Sequence, residues 1–220
     1  MKEEKKIFTP LKRCLNFKFF MRKIIIHRVN SCKELDTINS SYGVEVDIRA
    51  YKNELVCSHD PLIQGESFKN WLKSYNHSFL IANIKEEGIE KDVVQLIESK
   101  NITNYFLLDV TFPFLHKLTA NNQISNNFIY RISDYEKLCP NFIVNNNIKW
   151  IWIDAFINFP EEDLNKVYEL QKNLEIKICM VSPELHTDRN EEINNALLSK
   201  IKFLDVKYDL VCTKDPKLWE

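Results

Sequence analysis

Glycine is scarce in this chain, which has only three glycines among 220 residues. Nucleotide-binding loops depend on closely spaced glycines, because their backbone N–H groups must approach phosphate oxygens without a Cβ in the way. The sequence contains neither a GxGxxG nor a GxxxxGK[ST] pattern. A Rossmann-type dinucleotide site and a P-loop are therefore excluded.

Paired cysteines, excess charge of one sign and long apolar runs are also missing. The six cysteines form no CxxC pair, and several lie within apolar runs, so we interpret them as buried residues of a reduced, cytoplasmic protein. A formal net charge of −1 argues against a nucleic-acid binder that works by bulk electrostatics. The basic, aromatic residues 1–22 contain neither an apolar stretch long enough to cross a membrane nor a cleavage site, so we expect a short N-terminal extension and no transmembrane segment.

From residue 23 onward, short β-branched or aromatic runs alternate with amphipathic segments. The runs are KIIIH (23–27), GVEVDI (43–48), SFLIANI (78–84), YFLLDV (105–110), NFIYRI (127–132), KWIWIDA (149–155), EIKICMVS (175–182) and DLVCT (209–213), with ELVCS (54–58) as an additional extended segment. Such alternation predicts an α/β protein with a parallel sheet covered by helices, and eight repeats favour a small (β/α)8 TIM barrel over residues 23–220. An open doubly wound sheet is the alternative, which the missing phosphate loop disfavours.

Helix-start signals lie between several of these runs. Ser31 with Glu34 and Ser133 with Glu136 have the spacing of a capping box, and Pro160 precedes three acidic residues that suit a first helical turn. We therefore predict that helices begin at these three places.

Polar side chains recur at the C-terminal ends of the predicted strands, which is the edge where barrel active sites lie. Glu45 and Asp47 are two residues apart on one strand, so their side chains point to the same face, about 7 Å apart along the backbone. Two like charges on a half-buried face need a positive partner or water. On the residues alone, that partner is a metal ion, a Lys/Arg cluster or solvent. The complete set of strand-end residues is His27, Glu45 with Asp47, Asn83 with Lys85, Asp109, Arg131, Asp154, Ser182 with Glu184, and Thr213.

Several of these segments together resemble the signature of the glycerophosphodiester phosphodiesterase family. The segments are IIIHR (24–28), GVEVDIR (43–49), LVCSHDP (55–61) and the closing DLVCTKDP (209–216). An HR, an ExD and an HD that occur in this order, each beside a strand, form a fairly specific combination. The resemblance implies a metal-dependent enzyme that hydrolyses a small glycerophosphodiester-type substrate to a phosphomonoester and an alcohol.

The resemblance also implies roles for individual residues. His27 and His59 would be the general acid/base pair, since histidine titrates near neutral pH. Arg28 and Lys85 would bind the phosphate oxygens of the substrate. Glu45, Asp47 and Asn83 would hold a divalent cation, either Mg²⁺ or Ca²⁺, because these hard ions prefer oxygen ligands.

Three departures from the family pattern leave alternatives open. Val29 stands where the family has glycine, Asn83 stands where it commonly has an acid, and the shorter spacer between His27 and Glu45 predicts a short first helix. The alternative function is a barrel that binds a phosphorylated small molecule without turnover, and a third possibility is a purely structural barrel. For Glu45 and Asp47, ion pairs with Arg49 or lysines are the alternative to a metal ion.

Overall fold

The computed structural model of the protein describes residues 22–120, 127–204 and 207–220. In these residues the strands are β1 (Lys23–Ile26), β2 (Gly43–Tyr51), β3 (Glu54–Cys57), β4 (Glu66–Ser67), β5 (Leu80–Ile84), β6 (Tyr105–Leu108), β7 (Ile129–Ile132), β8 (Trp150–Ile153), β9 (Lys177–Val181) and β10 (Leu210–Thr213). The α-helices are α1 (Cys32–Leu35), α2 (Phe68–Ser74), α3 (Glu90–Glu98), α4 (Phe112–Ala120), α5 (Pro140–Asn145), α6 (Glu161–Leu174) and α7 (Glu191–Lys202).

Most of the strand pairs in the sheet are parallel. β1 lies between β2 and β10, and the sheet continues from β10 through β9 and β8 to β7. On the other side, β2 pairs with β5, and β5 pairs with β6. β6 and β7 are joined by one parallel bridge between Leu107 and Phe128, where the Leu107 N–H donates to the Asn127 carbonyl at 2.7 Å. The predicted α/β class with a parallel sheet is confirmed.

The additional extended segment forms an antiparallel hairpin on β2. β3 pairs with β2 in a register that places Cys57 opposite Ile48, and β4 pairs with β3. Because β3 runs back along β2, the residues that follow it return to the middle of β2, where the Ser58 N–H donates to the Asp47 carbonyl at 3.0 Å. This hairpin therefore returns His59 and Asp60, the HD segment, toward the strand that contains Glu45 and Asp47, the ExD segment.

The two faces of the sheet are buried differently. Val44, Val46 and Ile48 are fully buried in a large cluster that includes apolar residues of α1 to α7, and burial of each such side chain contributes about 1.5–3 kcal/mol. A second cluster contains strand residues from β1 and from β5 to β10, together with Phe79. In this cluster the Trp150 ring contacts the rings of Phe79 and Phe106, with centroids 5.4 and 5.3 Å away. The helix-free face therefore buries its side chains against other strands of the same sheet.

Two of the three predicted helix starts are confirmed, and one is wrong. Ser31 and Glu34 form a complete capping box at α1, which is only four residues long as predicted, and α6 follows Pro160 directly. The Glu136 N–H donates to Ser133 Oγ at 3.1 Å, as in a capping box, and Ser133 Oγ donates to Glu136 Oε2 at 3.0 Å, but the next helix begins only at Pro140. The intervening chain is held away from a helix by tertiary hydrogen bonds, such as that from the Leu138 N–H to Asp163 Oδ2 at 3.0 Å.

The predicted N-terminal extension lies outside the described residues except for Arg22, and it stays a prediction. Within the part of the chain that the structure describes, none of the helices has both the length and the apolar character needed to cross a membrane.

Candidate active site

Glu45 and Asp47 lie on the helix-free face of β2, as its third and fifth residues. Their side chains are 0% and 1% exposed, respectively. The strand fixes this placement, because the alternating Val44, Val46 and Ile48 must face the helices. On the neighbouring parallel strand, Asn83 is in register with Asp47. The structure therefore brings together all three residues that the sequence predicts as metal ligands.

The carboxylate of Glu45 is surrounded mainly by neutral donors. Its Oε2 accepts a hydrogen bond from the Arg28 backbone N–H at 2.5 Å, and its Oε1 accepts one from Asn83 Nδ2 at 2.8 Å. His27 Nε2 lies 3.8 Å from Oε2. Burial and the charge of Asp47 raise the pKa of Glu45 to about 7. Without a further positive charge, the two acids therefore retain a proton up to neutral pH.

The carboxylate of Asp47 lies between two cations. Arg28 Nε is 3.5 Å from its Oδ2, and Lys85 Nζ is 3.4 Å from its Oδ1. Asn30 completes the surroundings, because its Nδ2 donates to Oδ2 at 2.9 Å and its Oδ1 accepts the Asp47 N–H at 2.9 Å. Asn30 was not among the predicted site residues, and its position in the loop between β1 and α1, rather than at a strand end, offers no sequence signal.

A left-handed turn at Arg28 points the backbone into the site. Arg28 has φ of 58°, a conformation that costs a non-glycine residue roughly 1–2 kcal/mol. The turn falls one residue before Val29, which stands where the family has glycine. Val29 is buried, its N–H donates to the Glu45 carbonyl at 2.8 Å, and its carbonyl accepts the Trp71 Nε1–H at 3.1 Å. The backbone of Arg28 and Val29 thus approaches Glu45 closely, although neither residue is a glycine.

His27 is held as a neutral imidazole at neutral pH. Burial, assisted by the charge of Arg28, lowers the pKa of His27 to about 4. Its Nδ1 is buried and has no hydrogen-bond partner among the described residues. His27 is therefore a neutral imidazole whose Nε2 faces Glu45 and whose Nδ1 has no partner among the described residues.

His59 lies on the segment after β3, and its side chain is more exposed than the rest of the cluster. The side chain is 42% exposed, and its Nδ1 is 2.8 Å from Asp60 Oδ1. Arg49 links this segment to that of Lys85, because its Nε donates to the His59 carbonyl at 3.0 Å and its Nη1 donates to the Lys85 carbonyl at 2.7 Å. Arg49 thus binds carbonyl groups rather than the acids, and its positioning role is not evident from the sequence.

Further strand-end residues extend the cluster across the sheet. Lys85 Nζ lies 3.2 Å from Asp109 Oδ2, and Asp109 Oδ1 lies 2.9 Å from Arg131 Nη2. Asp154 Oδ2 is 4.0 Å from the same Arg131 nitrogen, and Asp154 Oδ1 is 2.7 Å from His186 Nε2. Alternating charges therefore connect β5, β6, β7 and β8 along one edge.

The residues present fit a hard divalent cation. Glu45 and Asp47 offer buried carboxylate oxygens, and the Asn83 Oδ1 is buried without a partner among the described residues. The raised pKa of Glu45 indicates that positive charge is lacking at this point. The third oxygen is an amide, and in the described ranges no three His, Cys, Asp or Glu side chains gather as a metal-binding group. An ion held here would therefore have two charged ligands and one neutral ligand from the protein.

Comparison with known proteins finds a relative at the level of structure only. No family model matches the chain, and no curated protein matches its sequence. The crystal structure of glycerophosphodiester phosphodiesterase from Agrobacterium tumefaciens str. C58 is similar over 90% of this chain and 99% of that chain, with a TM-score of 0.59 and 13% sequence identity. The chain thus shares the fold of a glycerophosphodiester phosphodiesterase, and the predicted resemblance is confirmed at the level of the fold.

Proposed function

We propose that this protein is a metal-dependent phosphodiesterase that hydrolyses a glycerophosphodiester-type small molecule to a phosphomonoester and an alcohol. The observation that carries the proposal is the meeting of His27, Arg28, Glu45, Asp47 and Lys85 in one set of contacts of 3.8 Å or less. Cleavage of a phosphodiester needs cationic groups for the phosphate oxygens and proton carriers that work near neutral pH. This cluster contains two cationic side chains, a neutral imidazole that can accept a proton, and a buried carboxyl group whose pKa is about 7.

The proposal includes closure of the eight parallel strands into a (β/α)8 barrel. Three observations support it. β1 pairs on both sides, with β2 and β10, and one bridge joins β6 to β7. The Trp150 ring of β8 contacts Phe106 of β6 and Phe79, which directly precedes β5. In such a barrel the helix-free face becomes the interior, and the strand-end residues line its C-terminal mouth. The buried free cysteines Cys57, Cys179 and Cys212 support a reducing, cytoplasmic location.

Glu45, Asp47 and Asn83 would hold Mg²⁺ or Ca²⁺. A divalent cation bound there supplies positive charge that polarises the phosphodiester and stabilises the charge that develops in the transition state. The remaining steps belong to side chains of the protein. Arg28 contacts one carboxylate oxygen of Asp47, and Lys85 contacts the other. These two positively charged side chains are therefore directed at the same carboxylate, and from there both can bind phosphate oxygens.

The two histidines divide the proton transfers. His27, neutral at pH 7, accepts the proton of the attacking oxygen, which belongs to water or to a neighbouring hydroxyl of the substrate. His59, whose ring is oriented by Asp60, donates a proton to the leaving alkoxide. If the substrate hydroxyl attacks and no water completes a second step, the product is a cyclic phosphate.

A second candidate function is the binding of a phosphorylated small molecule without turnover. Asn83 favours it, because its amide donates to Glu45 at 2.8 Å where an acid would provide a third charged ligand. Weaker cation binding would leave the phosphate-binding residues in place and remove the catalytic charge.

Activity measurements separate the two functions. Hydrolysis of bis(p-nitrophenyl) phosphate and of glycerophosphocholine should be measured with Mg²⁺, Mn²⁺ or Ca²⁺ added. We expect turnover with at least one ion, and His59→Ala should reduce it by roughly 10²–10⁴-fold. His116→Ala is the control, since His116 is exposed on α4. No turnover with any ion, from folded protein that glycerol phosphate still stabilises, would favour the binder.

A further inference from the structure

Two buried donors next to the candidate active site lack partners. Arg131 on β7 and Trp152 on β8 are in register on adjacent parallel strands, so their side chains are neighbours on the helix-free face. Arg131 Nε and Trp152 Nε1 are buried, and neither has a hydrogen-bond partner among the described residues. Trp152 is only 3% exposed. Buried donors in native structures are almost always satisfied, so these two point to an acceptor that comes from outside the chain.

A hydrogen-bond acceptor lies on the same face as these donors, closer to the C-terminal end of the strands. Asp154 follows Trp152 by two residues and is 5% exposed. Its Oδ1 accepts hydrogen bonds from His186 Nε2 at 2.7 Å and from the Ala155 N–H at 2.8 Å. Burial opposes ionisation of Asp154, but the hydrogen bond from His186 and the charge of Arg131 outweigh it and lower the pKa. Its Oδ2 is 4.0 Å from Arg131 Nη2, too far for a hydrogen bond, so among the described residues this oxygen has lone pairs available to a ligand.

The segment that follows β8 is fixed in place around these groups. Asp134 accepts the backbone N–H groups of residues 156, 157 and 158 at 2.9 to 3.1 Å. Arg189 donates to the carbonyls of Ala155 and Pro183 at 2.7 and 2.9 Å, which ties this segment to the one that carries His186. The Phe156 ring contacts the His186 ring edge-on at 5.3 Å and lies 5.9 Å from the Arg131 guanidinium. The polar groups are therefore preorganised and flanked by an aromatic ring.

The electrostatics of this region favour a neutral ligand. Lys85 and Arg131 are matched by the carboxylates of Asp109 and Asp154, and contacts of 3.2 and 2.9 Å connect Lys85 to Asp109 and Asp109 to Arg131. A ligand group with its own charge, whether an anion or a quaternary amine, would disturb this balance of two positive and two negative side chains. Asp109 and Arg131 also line a neighbouring cavity of about 420 Å³, whose lining does not include Trp152, Asp154 or His186.

We propose that Arg131, Trp152, Asp154 and His186 form a polyol-binding subsite that receives the alcohol half of the phosphodiester. The inference rests on the proposed phosphodiesterase function and specifies its substrate: the leaving alcohol is a hydroxyl-rich group, such as a sugar or a cyclitol. A hydroxyl both donates and accepts, so neighbouring hydroxyls satisfy Arg131 Nε, Trp152 Nε1 and Asp154 Oδ2 together. A choline group has no oxygen other than the one bonded to phosphorus, so it cannot satisfy the two donors together.

Substrate competition in matched variants tests the subsite. The ratio of kcat/KM for glycerophosphoinositol to that for glycerophosphocholine should exceed tenfold in the wild type. Trp152→Phe removes one donor, and the ratio should fall about fivefold, which corresponds to about 1 kcal/mol. Trp150→Phe makes the same change two residues lower on β8 and should leave the ratio unchanged. A wild type that prefers the choline ester, or equal effects of the two variants, would overturn the proposal.

A binding measurement distinguishes failure of the subsite from failure of the proposed function. If no phosphodiester is turned over, the phosphodiesterase proposal fails by itself. Thermal unfolding with millimolar myo-inositol, glucose or choline chloride then tests the subsite alone. A rise in Tm with a polyol but not with choline, which Trp152→Phe loses and Trp150→Phe keeps, supports the subsite. No shift with any polyol would refute it.

Discussion

Replacement of Glu45 by glutamine tests whether the buried acidic pair retains a proton. Burial and the charge of Asp47 raise the pKa of Glu45 from its ordinary 4.5 to about 7. Glutamine keeps the size of the side chain, and its carbonyl can still accept the Arg28 N–H. The Asn83 amide can rotate so that its unpartnered Oδ1 receives the new NH₂ group. The substitution therefore removes a titrating group with little change in packing.

The expected effect on stability follows from the two pKa values. A carboxyl group with a higher pKa in the folded than in the unfolded state loses stability as pH rises, because the unfolded chain releases its proton first. At about 1.4 kcal/mol per unit, the shift of Glu45 from 4.5 to about 7 costs the wild type about 3 kcal/mol across this window.

His27 acts in the opposite direction. Its pKa is lowered from 6.5 to about 4, mainly by burial, so the unfolded chain holds the proton longer than the folded one. His27 therefore adds about 3 kcal/mol of stability as pH rises from 4 to 6.5. In the wild type the two contributions nearly cancel, and in Glu45→Gln only the contribution of His27 remains.

Urea unfolding, followed by tryptophan fluorescence at pH 4.5, 5.5, 6.5 and 7.5 with EDTA present, measures both proteins. The unfolding free energy of the variant minus that of the wild type should rise by about 3 kcal/mol between pH 4.5 and 7.5, with an unchanged slope against urea. Saturating Mg²⁺ or Ca²⁺ should recover stability in the wild type at pH 7.5, because a bound cation compensates the carboxylate charge left after the proton is released.

The same titration of Glu169→Gln, an exposed position on α6, is the control and should give a difference that does not vary with pH. If the difference between Glu45→Gln and the wild type is equally constant, the acidic pair holds no proton at neutral pH. The electrostatic argument for a cation at this point would then be lost.

Two further substitutions test the neighbours of the pair. Asn83→Asp places a third carboxylate at the position of an amide that lies 2.8 Å from Glu45 Oε1. The variant should therefore have a lower Tm in EDTA, and calorimetric titrations should show an affinity for Ca²⁺ or Mg²⁺ that is roughly tenfold higher or more. An unchanged affinity would remove residue 83 from the ligand set. Arg49→Gln removes hydrogen bonds to the carbonyls of His59 and Lys85, so kcat should fall about tenfold. An equal kcat in steady-state assays would show that Arg49 does not position these segments.

Local sequence patterns determined the elements and the central residues of the site. The alternation in β2 alone places Val44 and Val46 on the helix side and Glu45 and Asp47 on the other, because side chains alternate across any strand. The capping box at Ser31 likewise needs only residues three apart. For this reason the eight parallel strands, β3, the start of the first helix and the acidic pair were predictable without a tertiary structure, whereas the two-residue strand β4 was not predicted.

Contacts between distant segments were decided only by the tertiary structure. Arg49 binds the carbonyls of residues 59 and 85, and Asp154 binds His186, because strand order and register bring these segments together. Ser133 accepts the capping hydrogen bond from the Glu136 N–H without starting a helix, since tertiary hydrogen bonds to the following residues outweighed the local signal. The left-handed turn at Arg28, which aims a backbone N–H at Glu45, has no glycine to mark it. A local pattern specifies which face a residue occupies, but its partners across that face depend on how the whole chain packs.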